Sequence, residues 1–513
     1  MFVRIWPSVR HPVIGSDEGF HLLMRREIRR NRFLVPAKMW PCLFDNRVGY
    51  PWFYHQSIAL IPESTLRRMP GLPSGIIDGL HGLLACAASY WLTQEAGYAD
   101  RALWAGLVGG LLFGINPALL AHGMGPRAYS VTPRPFGELL FSAALFCGLL
   151  AIHQSSWLWG VTAAFAGGCM LLSSKFAAQV LLFFAPLLAL LPGYAAMALL
   201  LPASLLSAMI LSRGRYWDIL KGQWVHLRWY RTKAQYQLMM VAQRNAWADF
   251  GEVGSIIRQR GILSRDVLRA LGRMYTTNTY LLVLSRGGLF LVFLLLLVSR
   301  GPGEFLFNDI AMVTGLLGWA FIWLVPFMLT STRHFRFMGE AERYCEYSIL
   351  PVAILTGVLL TTSPWNLFVI VLLSLYIVST FAVIGHAWII HARTGQKRTR
   401  EKGELVDFLQ SLPEKSALLG IPAMHVLAPV ASQLDHRFAD LITDGVEFVK
   451  MFEDRCEGYP WPKPDWDMWK SYGVQYVVTS NPEGLRRGRP SLHYDFANLR
   501  LEFSNASYHV YAL

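Results

Sequence analysis

Long apolar runs separated by short polar turns dominate the middle of the chain. Ten of them stand out, near residues 76–93, 102–122, 136–152, 157–172, 176–192, 194–211, 280–299, 310–330, 348–362 and 365–390. Most approach the ~20 residues that a helix needs to cross a ~30 Å hydrocarbon layer. The pattern therefore predicts a polytopic α-helical membrane protein with about ten transmembrane helices. The stretch from Phe176 to Leu211 is too long for one span, and Pro192-Gly193 divides it into a helical hairpin.

Three polar regions surround these runs. Residues 1–75 are broken by Pro36, Pro41, Pro51, Pro62, Pro70 and Pro73 and read as a first loop with short helices lying beside the membrane. Residues 213–278 interleave Trp217, Trp224, Trp229, Tyr230 and Trp247 with arginines and lysines. That mixture suits amphipathic helices in a headgroup layer, and surface anchoring accounts for most of it. Beyond a basic linker, residues 393–513 alternate helix-like and strand-like patterns and read as a small soluble α/β domain. It has no Gly-rich phosphate loop, and no catalysis is assigned to it. The expected order is a loop (1–75), membrane helices (76–212), an interfacial loop (213–278), membrane helices (279–392) and the α/β domain. An even number of spans places the three polar regions on one face.

Composition agrees with a membrane protein and disfavours a soluble enzyme: of 513 residues 53% are hydrophobic and 16% charged, with 18 tryptophans. The formal charge of +13 resides mostly in loops flanking apolar segments. Anionic headgroups or a phosphate-bearing lipid, and not nucleic acid, are its natural partners. Cys42, Cys86, Cys147, Cys169, Cys345 and Cys456 show no CxxC spacing and read as small core hydrophobes. The start of the chain lacks the apolar run of a signal peptide.

Chemistry concentrates in Gly15–Arg32, GSDEGFHLLMRREIRRNR. As a helix, it carries Asp17, His21 and Arg25 on one face, and Glu18 with Arg25, Arg29 and Arg32 on an adjoining one. One carboxylate of the Asp17-Glu18 pair can deprotonate an acceptor while the other orients it or holds a cation. The arginines suit a phosphate; a solvated amphipathic helix with internal ion pairs is the bland alternative. His55, in Tyr50-Pro51-Trp52-Phe53-Tyr54-His55-Gln56, can face the same aqueous cleft as Asp17. His122, Arg127, Arg134 and Glu138 lie at the mouth of the bundle, Lys175 sits between two tightly linked spans, and Arg343 precedes the ninth span. Ionisable groups at such places need an aqueous cavity or a partner; Arg127, Arg134, Lys175 and Arg343 are candidate anion contacts, with snorkelling to headgroups or internal Glu–Arg pairing as the structural alternative.

With these residues in view, the chain resembles the GT-C superfamily of polytopic glycosyltransferases, which includes protein O-mannosyltransferases, lipid A aminoarabinose transferases and oligosaccharyltransferase catalytic subunits. The resemblance rests on SDEGFH, YPWFYH, TPRPFGELL, SSKFAAQ and GEAERYCEY, with WKSYGVQYVVTS similar to an appended extracytoplasmic domain. It implies sugar transfer from a polyprenyl-phosphate or polyprenyl-diphosphate donor to an extracytoplasmic glycan, lipid or protein. Asp17 would be the general base, with Glu18 assisting. Arg343, Lys175, Arg127 and Arg134 would hold the donor phosphate, and His21 and His55 would line the acceptor cleft. A divalent cation (Mg or Mn), held by Asp17 and Glu18, is the one cofactor with a place in this scheme. The resemblance further implies an integral protein of the bacterial inner membrane with its site facing outward. Family members carry a span before the acidic loop, whereas about fourteen residues precede Ser16 here. The positive-inside rule would turn the basic polar regions to the cytoplasm; the expectation follows the family, because long loops obey that rule poorly. A transporter of lipid-linked saccharides and a non-catalytic scaffold are the competing classes.

Overall fold

The computed structural model describes residues 2–44, 47–119, 129–237, 246–300, 311–362, 367–396, 399–458, 460–480 and 494–513. The amino-terminal region is helical: α1 (Phe2–Arg10), α2 (Ser16–Arg30), α3 (Phe53–Ile58) and α4 (Glu63–Arg68). Within α2 the charge order suits the helix dipole, with Asp17 and Glu18 in the first turn and Arg29 and Arg30 in the last. The bundle follows as α5 (Leu72–Glu95), α6 (Ala102–Gly114), α7 (Arg134–His153), α8 (Trp157–Leu171), α9 (Lys175–Ala189) and α10 (Leu200–Leu211). Then comes α11 (Tyr216–Trp229), and the later helices include Ala246–Arg260, Arg265–Thr277, Ile349–Thr362 and Leu367–Gln396.

Each of the ten apolar runs is helical in its described part, but few are long. By length and composition, three helices among the described residues can cross a membrane: Arg134–His153, Met312–Thr330 and Leu367–Arg393. A fourth span results if Thr279–Arg286 and Gly288–Ser299, bent by 68°, are taken together. Leu72–Glu95 has the length, at 24 residues, but carries Asp78 and His81, and most of the others are shorter. The 176–211 run breaks between Ala189 and Ala195, where Gly193 adopts a φ of +82°. Large apolar side chains such as Trp104, Trp157, Leu190 and Leu367 stay exposed on the outside of the bundle, as lipid contact requires.

Inside, Phe141, Phe184, Trp319 and Tyr347 pack edge to face, with Phe141 and Tyr347 ring centroids 4.9 Å apart. The buried Trp319 indole donates to the Tyr347 carbonyl at 2.8 Å. The helix Ile349–Thr362 approaches α6 so closely that a Cβ on Gly357 would lie 2.8 Å from the Gly109 nitrogen. Small residues permit this backbone contact. Buried charge is paired: Arg4 of α1 meets Asp78 of α5 in an ion pair, and its guanidinium also reaches the Gly114 carbonyl at 3.2 Å.

The carboxy-terminal region folds on a five-stranded mixed sheet of order β2-β1-β5-β7-β6, with β1 (Ala417–Ile421), β2 (Arg437–Phe438), β5 (Tyr476–Ser480), β6 (Arg500–Ser504) and β7 (Tyr508–Ala512). β1 runs parallel to β2 and β5, whereas β5, β7 and β6 are antiparallel. β3 (Cys456–Gly458) and β4 (Trp461–Pro462) form a separate pair. Residues of the first loop cover the β2 edge: Phe438 donates to the Pro41 carbonyl at 2.7 Å and Leu43 donates back to Phe438 at 2.9 Å. A second contact joins α2 to the helix Ala428–Ala431, where a Cβ on Gly19 would fall 2.0 Å from the Ala428 carbonyl oxygen. The first contact joins the sheet region to the first loop and the second joins it to α2.

Candidate active site

The first turns of α2 face a cavity of about 320 Å³ built from four parts of the chain. α2 contributes Asp17, Phe20 and His21, and the first loop adds Tyr50. The bundle contributes Thr132, Pro133, Arg134, Ser174, Lys175 and Phe176, together with Arg343 from the segment before Ile349–Thr362. The remaining wall is His226 of α11 with Met424, Ile442, Thr443, Asp444, Gly445 and Phe448. Five sequence-selected residues therefore share one space: Asp17, His21, Arg134, Lys175 and Arg343.

Local structure aims each of them. α9 starts at Lys175 because Ser174 caps it, accepting from the Ala177 N–H at 3.3 Å. That start sets the ammonium 4.7 Å from the centre of the Tyr50 ring, a cation–π contact. Arg134 opens α7 with Pro135 behind it in the first turn, where a missing N–H costs nothing. Its guanidinium is paired with Glu346 and lies 3.6 Å from Glu138, so its charge is already matched by the protein. Arg343 contacts Glu340 at 3.0 Å and lies 5.6 Å from the Phe176 ring centre.

Water reaches Asp17 through the cleft, yet the surrounding walls strip much of its hydration. Its carboxyl is held above the usual range, with Arg343 and His425 partly opposing that shift. His425, in the turn after β1, stands 3.3 Å through Nδ1 from the Ser16 hydroxyl and so borders the α2 start from the sheet side. Glu18 does not line the cavity. It is turned away beside Gly15, and burial pushes its carboxyl up to about 7, with Asp17 adding to the shift. His55 is fully buried behind His21, and the two imidazoles share a hydrogen bond of 2.9 Å between His21 Nδ1 and His55 Nε2. Burial lowers both, bringing His21 to about 3, so the pair stays neutral. His122 and Arg127 lie outside the described residues.

Among the described residues, no group of three or more histidine, cysteine, aspartate or glutamate side chains is placed to hold a metal ion. The ligand pair expected for a cation, Asp17 with Glu18, is not assembled at the cavity.

Two walls went unread in the sequence. The carboxy-terminal region, given no catalytic part there, supplies Asp444, which caps the helix Gly445–Asp454 by accepting from Val446 at 2.8 Å. Burial raises the Asp444 carboxyl, and Asp444 and Lys175 both line the cavity. His226 belongs to the loop read as a surface anchor. Its ring stacks with Tyr230 and Phe448 at 4.8 and 4.7 Å, making a flat aromatic surface at the cavity. The Asp-Gly pair at 444–445 is legible as a helix start, but nothing in the sequence connects it to Lys175.

Three solved membrane-enzyme structures are similar to the chain in structure, each at low identity. ArnT from Cupriavidus metallidurans bound to undecaprenyl phosphate has 15% identity and a TM-score of 0.44, over 99% of this chain and 96% of that one. The Archaeoglobus fulgidus oligosaccharyltransferase tethered with an acceptor peptide has 14% identity and a TM-score of 0.48, over 91% of this chain and 65% of that one. AglB from Archaeoglobus fulgidus in complex with an inhibitory peptide and a dolichol-phosphate has 13% identity and a TM-score of 0.46, over 93% and 68%. No protein-family model and no curated protein sequence matches the chain.

Proposed function

We propose that the chain is an integral membrane glycosyltransferase that moves a sugar from a polyprenyl-phosphate or polyprenyl-diphosphate donor to an acceptor hydroxyl or amide. One observation carries this reading: a single cavity between apolar helices and the carboxy-terminal sheet joins the Asp17 carboxylate to Arg343 and Lys175. In the reaction, Asp17 accepts the acceptor proton as the acceptor atom bonds to the anomeric carbon. The bond from that carbon to the phosphate oxygen breaks, and the configuration inverts. The leaving phosphate keeps the electron pair, and Arg343 and Lys175 stabilise its charge. Arg134, matched by Glu346, positions its neighbours more than it contributes free positive charge. Glu18 and His55 act from behind the wall, holding α2 and His21 in place. The site faces away from the cytoplasm of a bacterial inner membrane, with about ten helices embedded to differing depths.

A transporter of lipid-linked saccharides is the second reading, favoured by the 68° break at Thr279–Ser299. The two are separated by measuring sugar transfer in membranes from a radiolabelled polyprenyl-phosphate sugar pool, comparing the natural chain with Asp17→Asn at matched expression. Loss of transfer by about 10²–10⁴-fold with donor still bound supports the enzyme. Unchanged transfer, or labelled lipid crossing the membrane without transfer in both proteins, refutes it.

A further inference from the structure

The carboxy-terminal half of α2 borders a second cavity, of about 510 Å³, lined by Arg25, Arg26, Arg29, Arg30, Pro62 and Glu63. None of these residues lines the Asp17 cavity. Along the helix, Arg29 lies twelve residues beyond Asp17, roughly 18 Å at 1.5 Å per residue. Spacing of i, i+1, i+4 and i+5 puts the four guanidinium groups in two adjacent columns. They sit over the last turns of the helix, where its dipole favours positive charge.

The protein satisfies these groups only in part. Arg25 donates to the carbonyls of Ile58 and Ile61 and stands 3.6 Å from Glu63, a carboxylate that Arg67 also holds at 2.9 Å. Arg26 reaches Glu27 at 3.0 Å and the carbonyls of Ser432 and Leu434 at 3.1 and 2.6 Å. Arg30 bridges to Asp435 at 2.7 Å. Three carboxylates, Glu27, Glu63 and Asp435, thus serve four arginines, Arg25, Arg26, Arg30 and Arg67, and Arg29 has no carboxylate partner among the described residues. Arg26 is 8% exposed, yet its Nη2 is buried without a hydrogen-bond partner. Such an orphaned guanidinium nitrogen beside a polar cavity points to an anion that completes it. Burial lowers the Arg25 and Arg26 pKa values, and the adjacent Arg29 and Arg30 charges add to this, a strain that an anion would relieve.

We propose that this cavity is a second anion-binding site, separate from the Asp17 cavity, which takes a phosphate group carried by a lipid headgroup or by a soluble phosphate. Arg29 and Arg30 grip the phosphate from the open side, and Arg26 Nη2 donates from the buried side. Exposed Leu60, Phe33 and Leu34 lie on the chain segments flanking the cavity, as at a membrane surface. The site also joins α2 to residues 431–435, so its occupant would bear on how the sheet region sits against the helix.

The test uses the full chain in neutral detergent and measures affinity for three probes: inorganic pyrophosphate, short-chain phosphatidylglycerol, and phosphatidylcholine of equal chain length. Arg29→Gln/Arg30→Gln, at exposed positions, should weaken anion binding at least tenfold. Arg400→Gln, also at an exposed position, should leave it unchanged. Pyrophosphate binding identifies a soluble phosphate as an occupant, and binding of phosphatidylglycerol alone identifies a headgroup; either supports the site. It is overturned by equal binding in the double variant, by an equal loss in Arg400→Gln, by loss in Arg343→Gln alone, which would put the anion in the Asp17 cavity, or by no anion binding in the natural chain.

Discussion

A single methyl group at residue 19 should separate α2 from the far wall of the cavity. A Cβ on Gly19 would lie 2.0 Å from the Ala428 carbonyl oxygen, 2.4 Å from its carbon and 2.6 Å from Pro429 Cα, all backbone atoms that no rotamer change can remove. Since side chains do not approach closer than about 3.0 Å, Gly19→Ala forces a displacement of 3.0 − 2.0 = 1.0 Å between α2 and the helix Ala428–Ala431. Overpacking of this kind costs about 1–3 kcal/mol of stability. The larger effect should be on rate. Gly19 is two residues from both Asp17 and His21, and the retreating wall carries Met424 and Asp444. A misplacement of about 1 Å costs roughly 100-fold in turnover when it moves a reacting group. The assay is sugar transfer by purified protein of confirmed thermal transition, with Gly254→Ala as control because that position has nothing within 4 Å. Gly19→Ala within threefold of the natural chain would refute the view that this contact sets the cavity.

Other outcomes follow from the same geometry. Arg343→Gln should raise KM for the donor and slow transfer by at least tenfold, whereas Arg400→Gln, exposed and outside the cavity lining, should do neither; steady-state kinetics with labelled donor reads both. Because burial raises Asp17 above 3.8, transfer should fall as pH drops through a pKa above that value, and a rate still rising below it would contradict Asp17 as the base. Glu18 works in the opposite sense on stability. With its pKa raised from 4.5 to about 7 in the folded state, its contribution is full below 4.5 and is lost as pH rises toward 7. The melting temperature of Glu18→Gln should therefore lack part of the decline that the natural chain shows across that window. Asp78→Ala, which leaves the buried Arg4 without its carboxylate, should cost about 3–5 kcal/mol in denaturation, and Arg4→Met/Asp78→Leu should recover much of it.

The apolar runs alone determined that the chain is a bundle of helices ending in a mixed α/β region, because burial of apolar surface is written directly into spacing and run length. Local rules singled out Asp17 and His21 as an acid–base cluster on one helix face and Arg134, Lys175 and Arg343 as ionisable groups at costly places, and packing brings these five to one cavity. Packing alone decided which neighbours joined them. Adjacent positions on a helix point about 100° apart, so Asp17 enters the cavity while Glu18 turns away, and only the surroundings of α2 select between them. The pairing of Arg134 with Glu346 spans 212 positions, and the Ser16–His425 contact spans 409. Separations of that size leave no trace in local periodicity. The wall of Asp444, Phe448 and His226 escaped the sequence for the same reason: each residue has an ordinary local explanation, a helix cap, a core ring and an interfacial aromatic. Their shared place beside Asp17 arises only when the sheet region closes over α2 against Gly19.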